Sequence, residues 1–126
     1  MVRDIENYFT KVVERYGVSN HHDTTPYLSI EDSPYADADD PDLIGEYRAD
    51  LNEIIIYHKN IKTVEELIRT LVHEYQHYLQ SPSWMTRYYN MGYSYSDHPY
   101  EVAAYAEEEN WKLVGSPKNS SYIYVK

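Results

Sequence analysis

Residues 63–82 constrain this chain more than any other stretch. Thr63-Val64-Glu65-Glu66 is a capping box, in which the Thr63 hydroxyl accepts from the Glu66 amide and the Glu66 side chain reaches back. Behind it, Val64, Leu67, Ile68, Leu71, Val72, Tyr75 and Leu79 recur at spacings of three and four. That period predicts one amphipathic helix with a single buried face, and Ser81-Pro82 ends it. Whatever else the chain forms must pack against this helix.

The other segments supply little more than what is needed to cover it. Ile5, Tyr8, Phe9, Val12, Val13 and Tyr16 predict a first helix over about 3–16, with Gly17 as its C-terminal cap. Residues 18–50 are rich in Ser, Asn, Asp and Pro and read as irregular chain with short extended pieces at 27–30 and 45–48. Glu53-Ile54-Ile55-Ile56-Tyr57-His58 is the strongest strand, and its consecutive isoleucines call for burial on both faces. Residues 83–97 read as a loop. Ser96-Asp97-His98-Pro99 then opens a third helix over about 99–114 that ends at Gly115. Tyr122-Ile123-Tyr124-Val125 can add a closing strand. The expectation is a single α+β domain over 1–126, a few helices on a small mixed sheet with an edge strand beside a cleft. With 16 Tyr and only one Phe, its core should be thin and polar-edged, because each tyrosine hydroxyl must be bonded or wet.

Composition excludes several function classes. A formal charge of −10 repels nucleic-acid phosphates and anionic membrane surfaces. No segment approaches the apolar length of a membrane span, and the charged N-terminus does not resemble a secretory leader. Without cysteine there can be no disulfide and no thiolate metal site, so a cytoplasmic setting is expected. Eight acids between Glu31 and Asp50 are answered by Arg48 alone. They do not follow a calcium-loop pattern and read as a solvated surface.

The chemistry lies near the end of the second helix, in His73-Glu74-Tyr75-Gln76-His77. Positions i and i+4 project the same way, so His73 and His77 can converge on one Zn²⁺. Glu74 is rotated by roughly 100° from His73. It is placed to hydrogen-bond a water on the metal and to act as general base. Apolar neighbours bury this face, and buried imidazoles need partners. A third ligand must come from elsewhere. Asp97, His98, Glu101, Glu107 and Glu108 lie downstream, and His21, His22 and His58 upstream. Glu101 is preferred, in the first turn of a helix that Ala103, Ala104 and Ala106 keep slim; His98 competes with it. Tyr105 or Glu108, on the same face as Glu101, can hold the second ring nitrogen of a histidine ligand.

The His73–His77 pattern matches the signature of the zincin metallopeptidases. With Glu101-Val102-Ala103-Ala104-Tyr105-Ala106 after it, the chain resembles a gluzincin, most of all the minigluzincins. It is also similar to small peptidases of the ImmA/IrrE type and to short phage-encoded proteins with the same motif. The likeness covers about residues 50–110. An extended family pattern is absent, since positions 80 and 83 hold Gln80 and Ser83, and the Asp often found four after the ligand Glu is here Tyr105. The resemblance implies a zinc-dependent metalloendopeptidase with Glu74 as base and His73, His77 and Glu101 as ligands. Its substrate would be a peptide or protein paired to an edge strand, for which residues 53–58 are the candidate. It further implies an electrophilic Tyr or His, for which Tyr93, Tyr95, His98 and Tyr105 are the candidates and Tyr105 the one carried forward. A terminal segment can block such sites, and residues 116–126 could do so here. Two other readings stand beside this one: a catalytically silent zincin-fold binding protein, and an acidic nucleic-acid mimic acting through residues 31–50.

Overall fold

A computed structural model describes residues 2–32 and 41–115 of the chain. In chain order its elements are α1 (Val2–Tyr16), β1 (Tyr27–Glu31), β2 (Gly45–Arg48), β3 (Glu53–Tyr57), α2 (Val64–Leu79), α3 (Pro82–Asn90), α4 (Pro99–Glu107) and α5 (Trp111–Gly115). Short 3-10 turns at His58–Asn60 and Glu108–Asn110 follow β3 and α4. The class is α+β, with helices covering a small mixed sheet.

The sheet order is β1-β3-β2. β3 runs parallel to β1 and antiparallel to β2, so both of its edges are paired. This corrects the expectation that residues 53–58 form the exposed edge. The isoleucine run already argued the other way: Ile54 and Ile56 are fully buried and Ile55 nearly so, as a central strand covered on both faces requires. Among the described residues, β2 is the outer strand on that side. The Ile44 carbonyl accepts from the Tyr57 amide at 3.0 Å. By the alternation of an antiparallel ladder, the backbone groups of Gly45 and Tyr47 therefore point away from β3.

α2 is the helix the capping box predicts. Thr63 accepts from the Glu66 amide at 3.0 Å, and the Glu66 carboxylate takes the Lys62 amide at 2.8 Å. Its buried face carries Leu67, Ile68, Leu71, Val72 and Tyr75 against Ile5, Val12, Ile54 and Ile56. Val64 is half exposed, because it sits on the first turn before the helix reaches the core, and Tyr78 is buried in addition. The tyrosine-edged core takes a specific form. Tyr75 and Tyr78 are fully buried rings whose hydroxyls donate to the Gly17 and Thr24 carbonyls at 2.5 and 2.6 Å. Gly17, at φ +76°, ends α1 in the left-handed conformation that glycine adopts at no steric cost.

β2 reaches α2 because position 45 has no side chain. A Cβ there would lie 2.5 Å from Thr70 Cγ2, one turn before His73 on α2. The strand edge thus passes close beside the motif helix.

Two further segments differ from expectation. Residues 83–97 are not all loop: Ser81 and Pro82, which stop α2, also start α3, with Ser81 accepting from the Trp84 amide and Pro82 in its first turn. The helix expected over 99–114 is interrupted at Glu108–Asn110. There three consecutive glutamates are drawn to different partners: Glu107 to Tyr16, Glu108 to His73 and Glu109 to Arg69. The expected closing strand and blocking tail over 116–126, and residues 33–40 of the acidic stretch, lie outside the described residues. No helix among the described residues is long and apolar enough to cross a membrane.

Candidate metal centre

The site forms where α2 meets α4. Pro99 sits in the first turn of α4, and His98 caps it, its Nδ1 accepting from the Tyr100 amide at 3.1 Å. Only Glu101 and Ala104 of α4 are buried, so the small alanine lets the helix lie close on α2 and carry Glu101 to the histidines. Glu101 Oε1 lies 3.0 Å from His73 Nε2 and 3.2 Å from His77 Nε2. The two Nε2 atoms are 3.3 Å apart. An ion with four tetrahedral ligands at about 2.0–2.1 Å sets those ligand atoms about 3.3 Å from one another. The spacing of the three donors therefore fits such an ion, and His73, His77 and Glu101 form a buried group that can hold a metal.

The opposite ring nitrogens are held as well. His73 Nδ1 lies 2.7 Å from Glu108 Oε2, so of the two residues expected there it is Glu108 that takes the position. His77 Nδ1 lies 2.8 Å from Gln80 Oε1, and the Gln80 amide donates to the Tyr100 carbonyl at 3.0 Å. With Nδ1 of each ring donating outward, both Nε2 atoms are free to face the ion. Sequence reasoning treated Gln80 only as a departure from a family pattern. Its position three residues after His77, one turn along the helix, was the available signal.

The electrostatics ask for positive charge. Burial alone would lower the pKa of the His73 ring, yet hydrogen bonds to Glu101 and Glu108 win and raise it to about 10. His77 is raised in the same way, against its own burial, by Glu101 and Glu74. Burial of Glu101 is in turn overcome by the two imidazoles, which hold its pKa down to about 2. In the metal-free chain, protons on the imidazoles thus neutralise carboxylates that a cation would otherwise neutralise.

Glu74 stands beside this group and is partly buried. Among the described residues its carboxylate has no hydrogen-bond partner, and burial, only partly offset by the two histidines, raises its pKa to about 7. It opens into a cleft of about 500 Å³ shared with His73, Gly45, Tyr95 and Tyr105. The Tyr105 ring packs edge-on against His73, centroids 4.6 Å apart. Burial, and the Glu101 charge after it, raise the pKa of both tyrosines, so their hydroxyls stay protonated and can donate.

The other residues raised by the sequence lie elsewhere. His98 is fully buried with both ring nitrogens engaged, Nε2 on the Met85 carbonyl at 3.0 Å, which leaves it a structural tie between α3 and α4 rather than a ligand. Asp97 accepts from Ser94, Glu107 from Tyr16, His58 pairs with Asp32, and His22 meets Tyr47. His21 is exposed, and Tyr93 packs on Tyr88 away from the cleft.

Fold and site together define a small α+β protein with a buried His–His–Glu group on two helices and, beside it, a glutamate without a hydrogen-bond partner among the described residues. No family model, curated protein or solved structure matches the chain.

Proposed function

We propose that this protein is a small zinc-dependent peptidase of the zincin type, with His73, His77 and Glu101 holding the metal. One observation carries the reading. A donor set spaced for a tetrahedral ion sits next to a carboxylate, Glu74, that has no hydrogen-bond partner among the described residues and lines one cleft with His73. A purely structural metal site gains nothing from such a carboxylate.

When bound, zinc would polarise the scissile carbonyl and acidify the attacking water. The protein's own groups do the rest. The outward-facing backbone of Gly45 and Tyr47 pairs an extended peptide along β2, in place of the strand expected from the sequence. The Glu74 carboxylate takes a proton from the attacking water and passes it to the nitrogen that leaves, so that a carboxylate and an amine are released. A pKa near neutrality suits both steps. Tyr95 or Tyr105 donates a hydroxyl hydrogen bond to the oxygen on which charge develops.

Metal analysis of purified protein beside His77→Ala, followed by peptide cleavage by wild type and Glu74→Gln, tests the proposal. One zinc per chain, lost in His77→Ala, and cleavage abolished in a Glu74→Gln that keeps its zinc are expected. Zinc without cleavage of any peptide would point to a binding protein on the same fold. No stoichiometric metal would remove the reading.

A further inference from the structure

Two cavities open on the metal group, and their walls differ in chemistry. The cleft of about 500 Å³ extends from His73 and Glu74, past Glu108 on the His73 ring, to the start of α2, where Glu65 and Glu66 face it. Among the described residues its basic lining groups are already held: Arg69 by Glu65 at 2.8 Å and Glu109 at 2.9 Å, and His73 by Glu108 at 2.7 Å and Glu101 at 3.0 Å. The second cavity, about 330 Å³, opens from His77 and Glu101. Tyr47, Ala49, Pro82, Met85 and Tyr89 line it beside the uncharged Gln80, Ser81 and Thr86, and among the described residues no charged one apart from His77 and Glu101 contributes. The metal group therefore lies at the junction of an acidic cavity and an apolar one.

The position of Glu74 gives a bound peptide its direction, and antiparallel pairing along β2 agrees with it. β2 passes both cavities: Gly45 lines the acidic one, while Tyr47 and, past the strand's end, Ala49 line the apolar one. A peptide pairing antiparallel to β2 runs from the apolar cavity towards the acidic one. The chemistry gives the same direction without reference to strands. Glu74 must deliver its proton to the released nitrogen, and Glu74 lines the acidic cavity and not the other. The half of the substrate that follows the cut is thus the half that meets the carboxylates. Low-dielectric walls focus their field on whatever enters.

We infer that the protein, on the peptidase reading above, selects a lysine or arginine immediately after the cleaved bond and an apolar side chain immediately before it. The acidic cavity holds the cationic head near Glu65 and Glu66, and the apolar cavity takes the preceding side chain against Met85 and Tyr89.

Binding and cleavage are read separately. Zinc-loaded Glu74→Gln serves as a trap for fluorescent, end-blocked hexapeptides with Leu-Lys, Leu-Glu or Asp-Lys at the centre, followed by anisotropy. The Leu-Lys peptide should bind at least about tenfold more tightly than either other, and the lysine preference should weaken as salt rises. Adding Glu65→Gln and Glu66→Gln to the trap should erase the preference for lysine over glutamate. Glutamine at 66 keeps the capping box, and Glu65→Gln alone, away from the cap, should give part of the loss if the double variant melts early. In parallel, wild type acts on a mixed peptide library read by mass spectrometry. Equal binding of the lysine and glutamate peptides would overturn the inference whatever the activity. Cleavage without enrichment of Lys or Arg after the cut would overturn it and leave the peptidase reading intact. Selective binding with no cleavage anywhere would support the assigned cavities and sink the peptidase reading instead.

Discussion

Replacing Glu74 by glutamine should make the metal-free protein more stable, and the gain should depend on pH. Burial, resisted by the two histidines, raises the carboxyl from its ordinary 4.5 to about 7. Between those values the native chain keeps a proton that the unfolded chain has lost. The native state binds more protons there, so stability falls as pH rises through the window, and the whole cost is present above about 7. At about 1.36 kcal/mol per pH unit, that rise corresponds to an upper bound of about 3 kcal/mol. Glutamine never charges, so Glu74→Gln should exceed wild type by up to about 3 kcal/mol at pH 8, with the gap closing towards pH 4. Urea unfolding of both chains with chelator present, at pH 4, 6 and 8, measures it. His73 and His77, raised in part by the Glu74 charge, should titrate lower in the variant, which offsets part of the gain and leaves about 3 kcal/mol as the upper bound. Saturating zinc should shrink the gap at pH 8, because a cation favours the charged carboxylate. A gap that ignores pH, or a variant less stable than wild type at pH 8, would mean that Glu74 is satisfied by a partner and is not poised for chemistry.

Two further outcomes follow from contacts around the site. Glu108→Gln removes the carboxylate on His73 Nδ1 and should weaken zinc binding by about 10–100-fold, read by competition with a chromophoric chelator. An unchanged affinity would show that Glu108 does not orient the ring. Gly45→Ala drives a methyl into Thr70 Cγ2 and should cost about 1–3 kcal/mol in denaturant unfolding. Thr70→Ser in the same chain removes that methyl, keeps the hydroxyl bond to the Glu66 carbonyl, and should recover most of the loss; no recovery would refute the close approach.

What the amino-acid sequence made legible follows the range of the forces involved. α2 could be read from residues 63–82 because caps and apolar period act within a turn or two of each other. The juxtaposition of His73 and His77 is equally local, set by helix geometry. Glu101 needed only that one loop turn a slim helix back. The position of β3 depended on which strands paired with it, information that no single strand carries, although Ile54-Ile55-Ile56 did hint at a covered centre. The break after α4 was out of reach for a different reason. Glu107, Glu108 and Glu109 look like an ordinary helical run, and only their three separate tertiary partners show why the helix changes there. Serine and proline at 81 and 82 were read as a stop, when the same pair also serves as a start.

The placing of Glu101 on a helix separate from the two histidines has a consequence for the life of the protein in a cell. Glu101 and Ala104 are the residues that α4 buries, and Glu101 stands 24 positions from His77 along the chain. An ion gripping both would act as a cross-link around that loop, and a covalent link of similar span removes chain entropy worth about 3 kcal/mol. The segment carrying α3 and α4 would then be held more tightly with the ion than without it. Without the ion that segment would open more readily and offer a point of entry for degradation.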